Sequence, residues 1–550
     1  MITNIRSKTM FEVFEFALIT IICLIPLLIT LPYRINIFLS FEGAYRLYLG
    51  QIPFKDFGLP MGPVYWLLPA TFFKLFGPSL KTLVITQVFI NMLFLFGVRY
   101  LMKLFLFDSQ QRIINLFIVI ITFTFVNFWP WYNYSVFVFQ FLGMLPVVYL
   151  LLTNQNTHAV WGKSICVSLA VLLNVLSFFT KQDAGGLGIC LTFLLFAIYS
   201  INQRSYYLLL GYTAGVVVLI AGVVYIFIPY DFGYWFNYGQ FPHSSRLSPV
   251  KAMAVLFGES TAHKAYLSII LGLNIYLYVD NRKRLFSLRH IIITIIGVFF
   301  VMESVIIEVT SPLPEENHIY HHGFFWIYMT YFFQDKIRVK NFFALCGVLT
   351  LVFMVMSAPY WGYINRLVGY SQPKEKTAQI KYATSQWISS PKTSAFSGVT
   401  MPTNTLEGIE KLKDLPIWTD SVKVLNMTEL TPLAKEMNYT PMTDQPLWYH
   451  ERVGIFERGV SRLKNNIDDQ LYDIVLFQEI QGLENFYPER LREELKSKYC
   501  LVETFEAPRQ KSEGDSFIEV YLSRKNYHNI YKDACSSEYK ADEKIVSLSR

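Results

Sequence analysis

Glu42 and Asp56 are two acids within one polar, turn-rich and aromatic stretch, Arg34 to Phe76, that separates two hydrophobic runs of lipid-crossing length. A carboxylate held on such a loop can accept the proton of a hydroxyl, and its natural partners are cations or donors that steady a departing anion. The chain carries candidates for those partners farther on. Lys181 and Asp183 end one hydrophobic run. His243, Arg246 and Lys251 share a later loop with Tyr234, Trp235 and Tyr238, and Glu308, Glu315, Glu316, His318, His321 and His322 surround a third.

Spacing sets what each could do. FEGAYRLYLG reads as a short amphipathic stretch in which Phe41, Tyr45, Tyr48 and Leu49 face the membrane surface while Glu42 and Arg46 face away. Asp56 follows a Pro53 turn and precedes Gly58, Pro60, Gly62 and Pro63, so backbone geometry aims it. A structural reading fits as well: a Glu42–Arg46 ion pair at i, i+4, and an Asp56 that caps a turn. Lys181 is similarly divided between binding a phosphate and snorkelling beside Asp183, which would otherwise orient an acceptor. Tyr234 and Trp235 suit stacking on a sugar or carrier, or an interfacial belt. His318, His321 and His322, at i, i+3 and i+4, share one helical face; adjacent imidazoles can donate to a phosphate, and a divalent metal is the lesser alternative. Glu308 is expected near an outer cavity, and Glu303 lies deeper in a span, where an ionisable group needs a cavity or a partner.

The elements that must position these groups are mostly in a membrane. A chain of 550 residues that is 53% hydrophobic and 16% charged has too little polar surface for a soluble globule. Apolar runs predict about eleven spans: Phe14–Leu31, Leu80–Leu106, Ile113–Phe128, Tyr134–Leu152, Lys163–Thr180, Ala184–Ile201, Tyr206–Pro229, Lys264–Val279, His290–Val309, Gly323–Phe333 and Asn341–Pro359. Gly323–Phe333 is short and is expected to begin within HIYHH. Pro63–Phe76 reads as an interfacial helix on the first loop. The first run has basic flanks and no small-residue cleavage site, so it is expected to be retained with its N-terminus inside. Alternation from there puts Lys103, Arg112, Arg204, the Arg282–Arg289 cluster and Lys336–Lys340 inside, and nearly every candidate group outside. The net charge of +7 therefore reports topology, and no nucleic-acid partner is expected.

Residues 1–360 thus form a transmembrane unit, 371–525 an outer α/β domain, and 526–550 a polar tail expected to be disordered. Within the second unit the pattern predicts helices near Thr405–Leu412, Arg452–Asn465 and Pro488–Lys498, with strands at Val422–Met427, Asp473–Ile480, Leu501–Phe505 and Phe517–Leu522. Cys23, Cys166, Cys190 and Cys346 lie in spans, and Cys500 and Cys535 could pair. No C-x-x-C, HExxH, GxGxxG or P-loop is present.

Outside a cytoplasmic membrane there is no nucleotide pool, so a group transferred there must arrive activated on a lipid carrier. A sugar on polyprenyl phosphate meets that need, because its phosphate leaves as an anion and the enzyme must supply only a base and an anion site.

FEGAYRLYLGQIPFKDFGLPMGPVYWLLPATFFKLFG resembles the first outer loop of the GT-C glycosyltransferases, relatives of the protein O-mannosyltransferases and the lipid A aminoarabinose transferase. FTKQDAGGLG at Phe179–Gly188 is similar to a second recurring segment, and PEENHIYHHGFFW to a His/Tyr-bearing outer loop. The resemblance implies a polytopic α-helical enzyme in a bacterial inner membrane, with its active site and C-terminal α/β domain outside. It implies a polyprenyl-phosphate sugar donor, a lipid, glycan or protein acceptor, and no certain cofactor. Where that family has Asp before Glu, this chain has Phe41. Glu42 is then expected to be the base, with Asp56 as second acid. Lys181, His243, Arg246, His321 and His322 are expected at the donor phosphate, and Tyr45, Asp183, Tyr234, Trp235, Glu308, Glu316 and His318 at sugar or acceptor. The competing classes are a transporter or lipid flippase, which predicts mid-membrane charges and repeated halves, and a non-catalytic scaffold.

Overall fold

The computed structural model describes residues 2–33, 37–123, 128–153, 160–236, 248–259, 261–310, 319–335, 386–419, 421–480, 486–509 and 516–527, with Gly347 and Thr350. Helices α1 (Ile2–Leu24), α2 (Ile37–Tyr48), α3 (Val64–Phe76), α4 (Leu80–Leu104), α5 (Ser109–Phe123), α6 (Tyr132–Leu152), α7 (Val160–Phe178), α8 (Gln182–Gln203), α9 (Tyr207–Phe227), α10 (Thr261–Asp280), α11 (Leu288–Thr310) and α12 (His322–Phe332) make the first part. Among the described residues seven helices are long and apolar enough to cross a membrane: α1, α4, α6, α7, α8, α9 and α11. This is an integral membrane protein.

Within the expected span Ile113–Phe128 the described residues form α5, whose first turns hold buried Gln111, Arg112 and Asn115. The last short span does begin within HIYHH, as a 3₁₀ turn over Ile319–His321 that runs into α12. Asn341–Pro359 lies outside the described residues apart from Gly347 and Thr350. Burial follows position in the bundle. The apolar window of α6 is 72% buried and that of α9 only 11%, so α6 is central and α9 turns nearly its whole surface outward, as a lipid-facing helix can.

The polar residues sort to two ends. At one end Lys103 pairs with Glu12 (3.4 Å), Arg112 and Arg99 with buried Glu15 (2.7 and 2.6 Å), and Arg284 donates to the Phe332 carbonyl (2.5 Å). At the other end the first loop docks on the α7–α8 connection. The Val64 amide bonds the Phe179 carbonyl at 3.3 Å, and Gly62 lies so close that a Cβ there would sit 1.6 Å from that oxygen.

The C-terminal part carries α13 (Thr403–Lys413), α14 (Glu457–Asp468) and α15 (Glu489–Lys498), with a four-stranded sheet of β5 (Val424–Met427), β7 (Ile474–Ile480), β9 (Ser516–Ser523) and β8 (Tyr499–Glu506). In that order the first pair is parallel and the other two antiparallel. These elements match those read along residues 403–523, and the central strands β7 and β9 are buried on both faces. Five short strands had no signal in the sequence. In the first loop, β1 (Leu31–Pro32) pairs in parallel with β4 (Val399–Pro402), itself paired to β3 (Trp387–Ser389); β2 (Phe57–Gly58) pairs with β6 (Gln445–Pro446). The first loop and the C-terminal part are therefore woven together by backbone hydrogen bonds. Cys500 is buried and disulfide-bonded, and Cys535 lies outside the described residues.

Candidate active site

α2 is covered on every side, which corrects its reading as a surface-lying amphipathic stretch. Phe41 is fully buried against Phe73 and Tyr45, and Tyr45 is 5% exposed and stacked on Tyr48. Gly43 lets the Trp66 indole lie flat on the helix, and Thr431 of the C-terminal part bonds the Phe38 carbonyl. Protein, not a lipid surface, takes the apolar face.

Within that cover Glu42 meets Arg46. The guanidinium reaches Glu42 Oε1 through Nε (2.9 Å) and Nη2 (2.8 Å), and its Nη1 bonds Gln51 Oε1 (2.9 Å) and the Met442 carbonyl (2.8 Å). Arg46 is 1% exposed, so helix α2, the loop after it and the C-terminal part all fix one cation. Burial raises the Glu42 carboxyl above its ordinary value, with Arg46 opposing. Burial first, and the Glu42 charge second, raise the hydroxyls of Tyr439 and Tyr449, so both keep their protons.

Asp56 caps its turn. Its Oδ2 accepts from the Ile52 amide at 2.7 Å, and its carbonyl accepts from the Asp444 amide at 2.6 Å.

A second polar group gathers at the same end of the bundle. Lys181, before the first turn of α8 and 6% exposed, pairs with Asp183 at 3.2 Å, donates to Thr310 Oγ1 at 3.0 Å and lies over the Tyr132 ring. Tyr132 contacts Tyr65, and Tyr65 packs on Trp66, so an aromatic row joins this group to α2. His321 is fully buried with Nδ1 3.9 Å from Glu303 Oε2. His322 instead meets the Tyr266 hydroxyl at 3.2 Å and faces His263, which is 3.9 Å from Glu308. The two adjacent histidines thus serve different neighbours, because successive helical residues point about 100° apart.

Tyr234 and Trp235 turn toward protein. Arg458 lies over the Tyr234 ring and pairs with Asp231, while Trp235 covers Gly58. Lys251 is exposed on a short helix. His243, Arg246, Glu315, Glu316 and His318 lie outside the described residues. Among the described residues no group of three or more metal-ligating side chains is assembled. Sequence reasoning missed Tyr439, Tyr449 and Met442, which come from the far end of the chain and have no pattern of their own. It also missed Gln140, whose signal was a lone amide inside an apolar run.

The arrangement is that of a known architecture. The structure of ArnT from Cupriavidus metallidurans bound to undecaprenyl phosphate superposes with a TM-score of 0.52 at 9% identity, covering 93% of this chain and 98% of that one. The chain has the fold of that ArnT structure. Looser matches are the same enzyme in the apo state (TM-score 0.44, 10% identity, 94% and 98% covered) and the Archaeoglobus fulgidus oligosaccharyltransferase AglB with an inhibitory peptide and a dolichol-phosphate (0.45, 10%, 89% and 73%). No family model and no curated relative matches the sequence. The GT-C resemblance of the first loop is thus borne out as a fold over nearly the whole chain.

Proposed function

We propose that this GT-C-fold protein is a glycosyltransferase that moves a sugar from a polyprenyl-phosphate donor to a lipid, glycan or protein acceptor at the outer face of a bacterial inner membrane. The observation that carries the reading is that a row of Trp66, Tyr65 and Tyr132 joins the helix of the Glu42–Arg46 pair to the Lys181–Asp183 pair in an ArnT-like bundle. The end of the bundle opposite the first loop holds Lys103, Arg112 and Arg284, which fits a cytoplasmic side. The Cys500 disulfide fits an oxidising compartment for the C-terminal part.

Of the two loop acids, Glu42 is the base. Asp56 spends an oxygen on its own turn, while burial makes Glu42 the better proton acceptor. The acceptor oxygen attacks the anomeric carbon as its proton passes to Glu42. The bond from that carbon to the phosphate oxygen breaks, and the lipid phosphate leaves as an anion. Lys181 and His321 hold that anion, and Asp183 borders the sugar or acceptor. The test is transfer from lipid-phosphate sugar in membranes containing Glu42→Gln. A loss of 100-fold or more is expected, and wild-type turnover would remove Glu42 from the chemistry.

A further inference from the structure

Glu303 is a carboxylate that helix packing alone would not place where it is. It lies seven residues before the end of α11, about 10 Å below that end at 1.5 Å per residue. Its side chain is fully buried in a span, where a charge is tolerated when it faces a partner or does work.

The surrounding helices are shaped to hold it. Gln140 of α6 donates its amide nitrogen to both Glu303 oxygens, at 2.5 and 2.6 Å. Gly188 of α8 makes room for that amide, since a Cβ there would come within 2.6 Å of Gln140 Cβ and 2.7 Å of its Oε1. With both oxygens fixed from α6, the carboxylate presents Oε2 to His321 Nδ1 at 3.9 Å. Phe137 and Phe300 pack on the His321 ring and leave it little freedom to turn. Above them stand Lys181 and Asp183, near enough for both charges to act on Glu303. An apolar residue at 303 would fill this space without the cost of burying a polar group.

We infer that Glu303, held by Gln140, is a positioning residue that orients His321 at the site of the donor's phosphate. The inference rests on the proposed lipid-phosphate donor and deepens it. Glu303 does not touch the reacting atoms; it acts through His321, as outer partners of functional histidines do.

The experiment is binding of undecaprenyl phosphate to the purified full chain in nanodiscs, for wild type, Glu303→Gln, His321→Asn and the double variant, with thermal unfolding measured on each. Wild type is expected to bind. Each single variant is expected to weaken Kd at least 10-fold, and the double to be no weaker than His321→Asn alone, because both changes remove one function. Wild-type affinity in Glu303→Gln, or losses that multiply in the double variant, would overturn the positioning role while leaving the donor reading intact. If wild type itself fails to bind, the donor reading falls and this inference with it. Should Glu303→Gln fail to fold, Gln140→Leu takes its place in the cycle, with the same non-additivity expected.

Discussion

Arg46 grips Glu42 by a single oxygen, Oε1, and does so from a position where the C-terminal part holds it through the Met442 carbonyl. Removing a buried partner leaves a charge stranded, which typically costs about 3 kcal/mol or more. Arg46→Met is therefore expected to lower stability by about that amount, and Glu42→Gln combined with Arg46→Met by clearly less. Thermal unfolding in detergent measures both; equal losses in the single and double variants would show that the clamp matters little.

The raised carboxyl of Glu42 gives a pH signature with a definite sign. An acid whose folded pKa lies above its unfolded one binds its proton more tightly when folded, so its contribution to stability is present below the ordinary carboxylate range, about pH 4 to 5, and is lost as pH rises through the folded value. Glu42→Gln should remove that decline, becoming more stable relative to wild type as pH increases. Activity should carry an acid limb above the ordinary carboxylate range, and Arg46→Met should move it higher, since the only opposing influence is gone. A limb at or below the ordinary value would exclude Glu42 as base.

Lys181 combines a carboxylate, a hydroxyl and an aromatic face at the mouth of α8. Lys181→Gln keeps length and polarity but removes the charge. Its expected effect is on the donor: KM for lipid-phosphate sugar up by about 10-fold, near 1.4 kcal/mol, with kcat changed less. Steady-state kinetics at varied donor concentration read this directly, and an effect on kcat alone would place Lys181 elsewhere in the reaction.

Contacts around the first loop should differ sharply in value. Gly62→Ala drives a methyl into the Phe179 carbonyl and is expected to cost about 3 kcal/mol or to unseat the loop, exposing it to protease. Arg458→Ala severs the pair with Asp231, but both side chains are more than half exposed, so less than about 1 kcal/mol is expected. Limited proteolysis with unfolding curves ranks the two; the reverse order would mean that the loop is held mainly by its exposed ion pairs.

Much of the bundle was legible because lipid demands long apolar helices, and α4, α6, α8 and α11 announce themselves by composition. The core strands β7 and β9 were legible through their short runs of apolar and aromatic residues between polar segments. The seam was not. β1, β2 and β6 are two residues long, too short to carry any period, and their register depends on partners hundreds of positions away. α2 shows the same limit at the candidate site. Its apolar face was correctly found, and so was the Glu42–Arg46 spacing, but a sequence shows only that such a face needs covering. Whether lipid or Tyr439 and Thr431 would cover it depended on tertiary contacts with no local trace.

The pairing of Leu31 with Val399 also sets a timetable for biogenesis. As the polypeptide leaves the ribosome, the early strand waits 368 residues (399 − 31) for its mate, some tens of seconds at ordinary elongation rates. The helices can enter the bilayer during that interval, yet the end that holds Glu42 cannot be finished until translation is nearly over. A nascent chain stalled before Val399 would be inserted and inert.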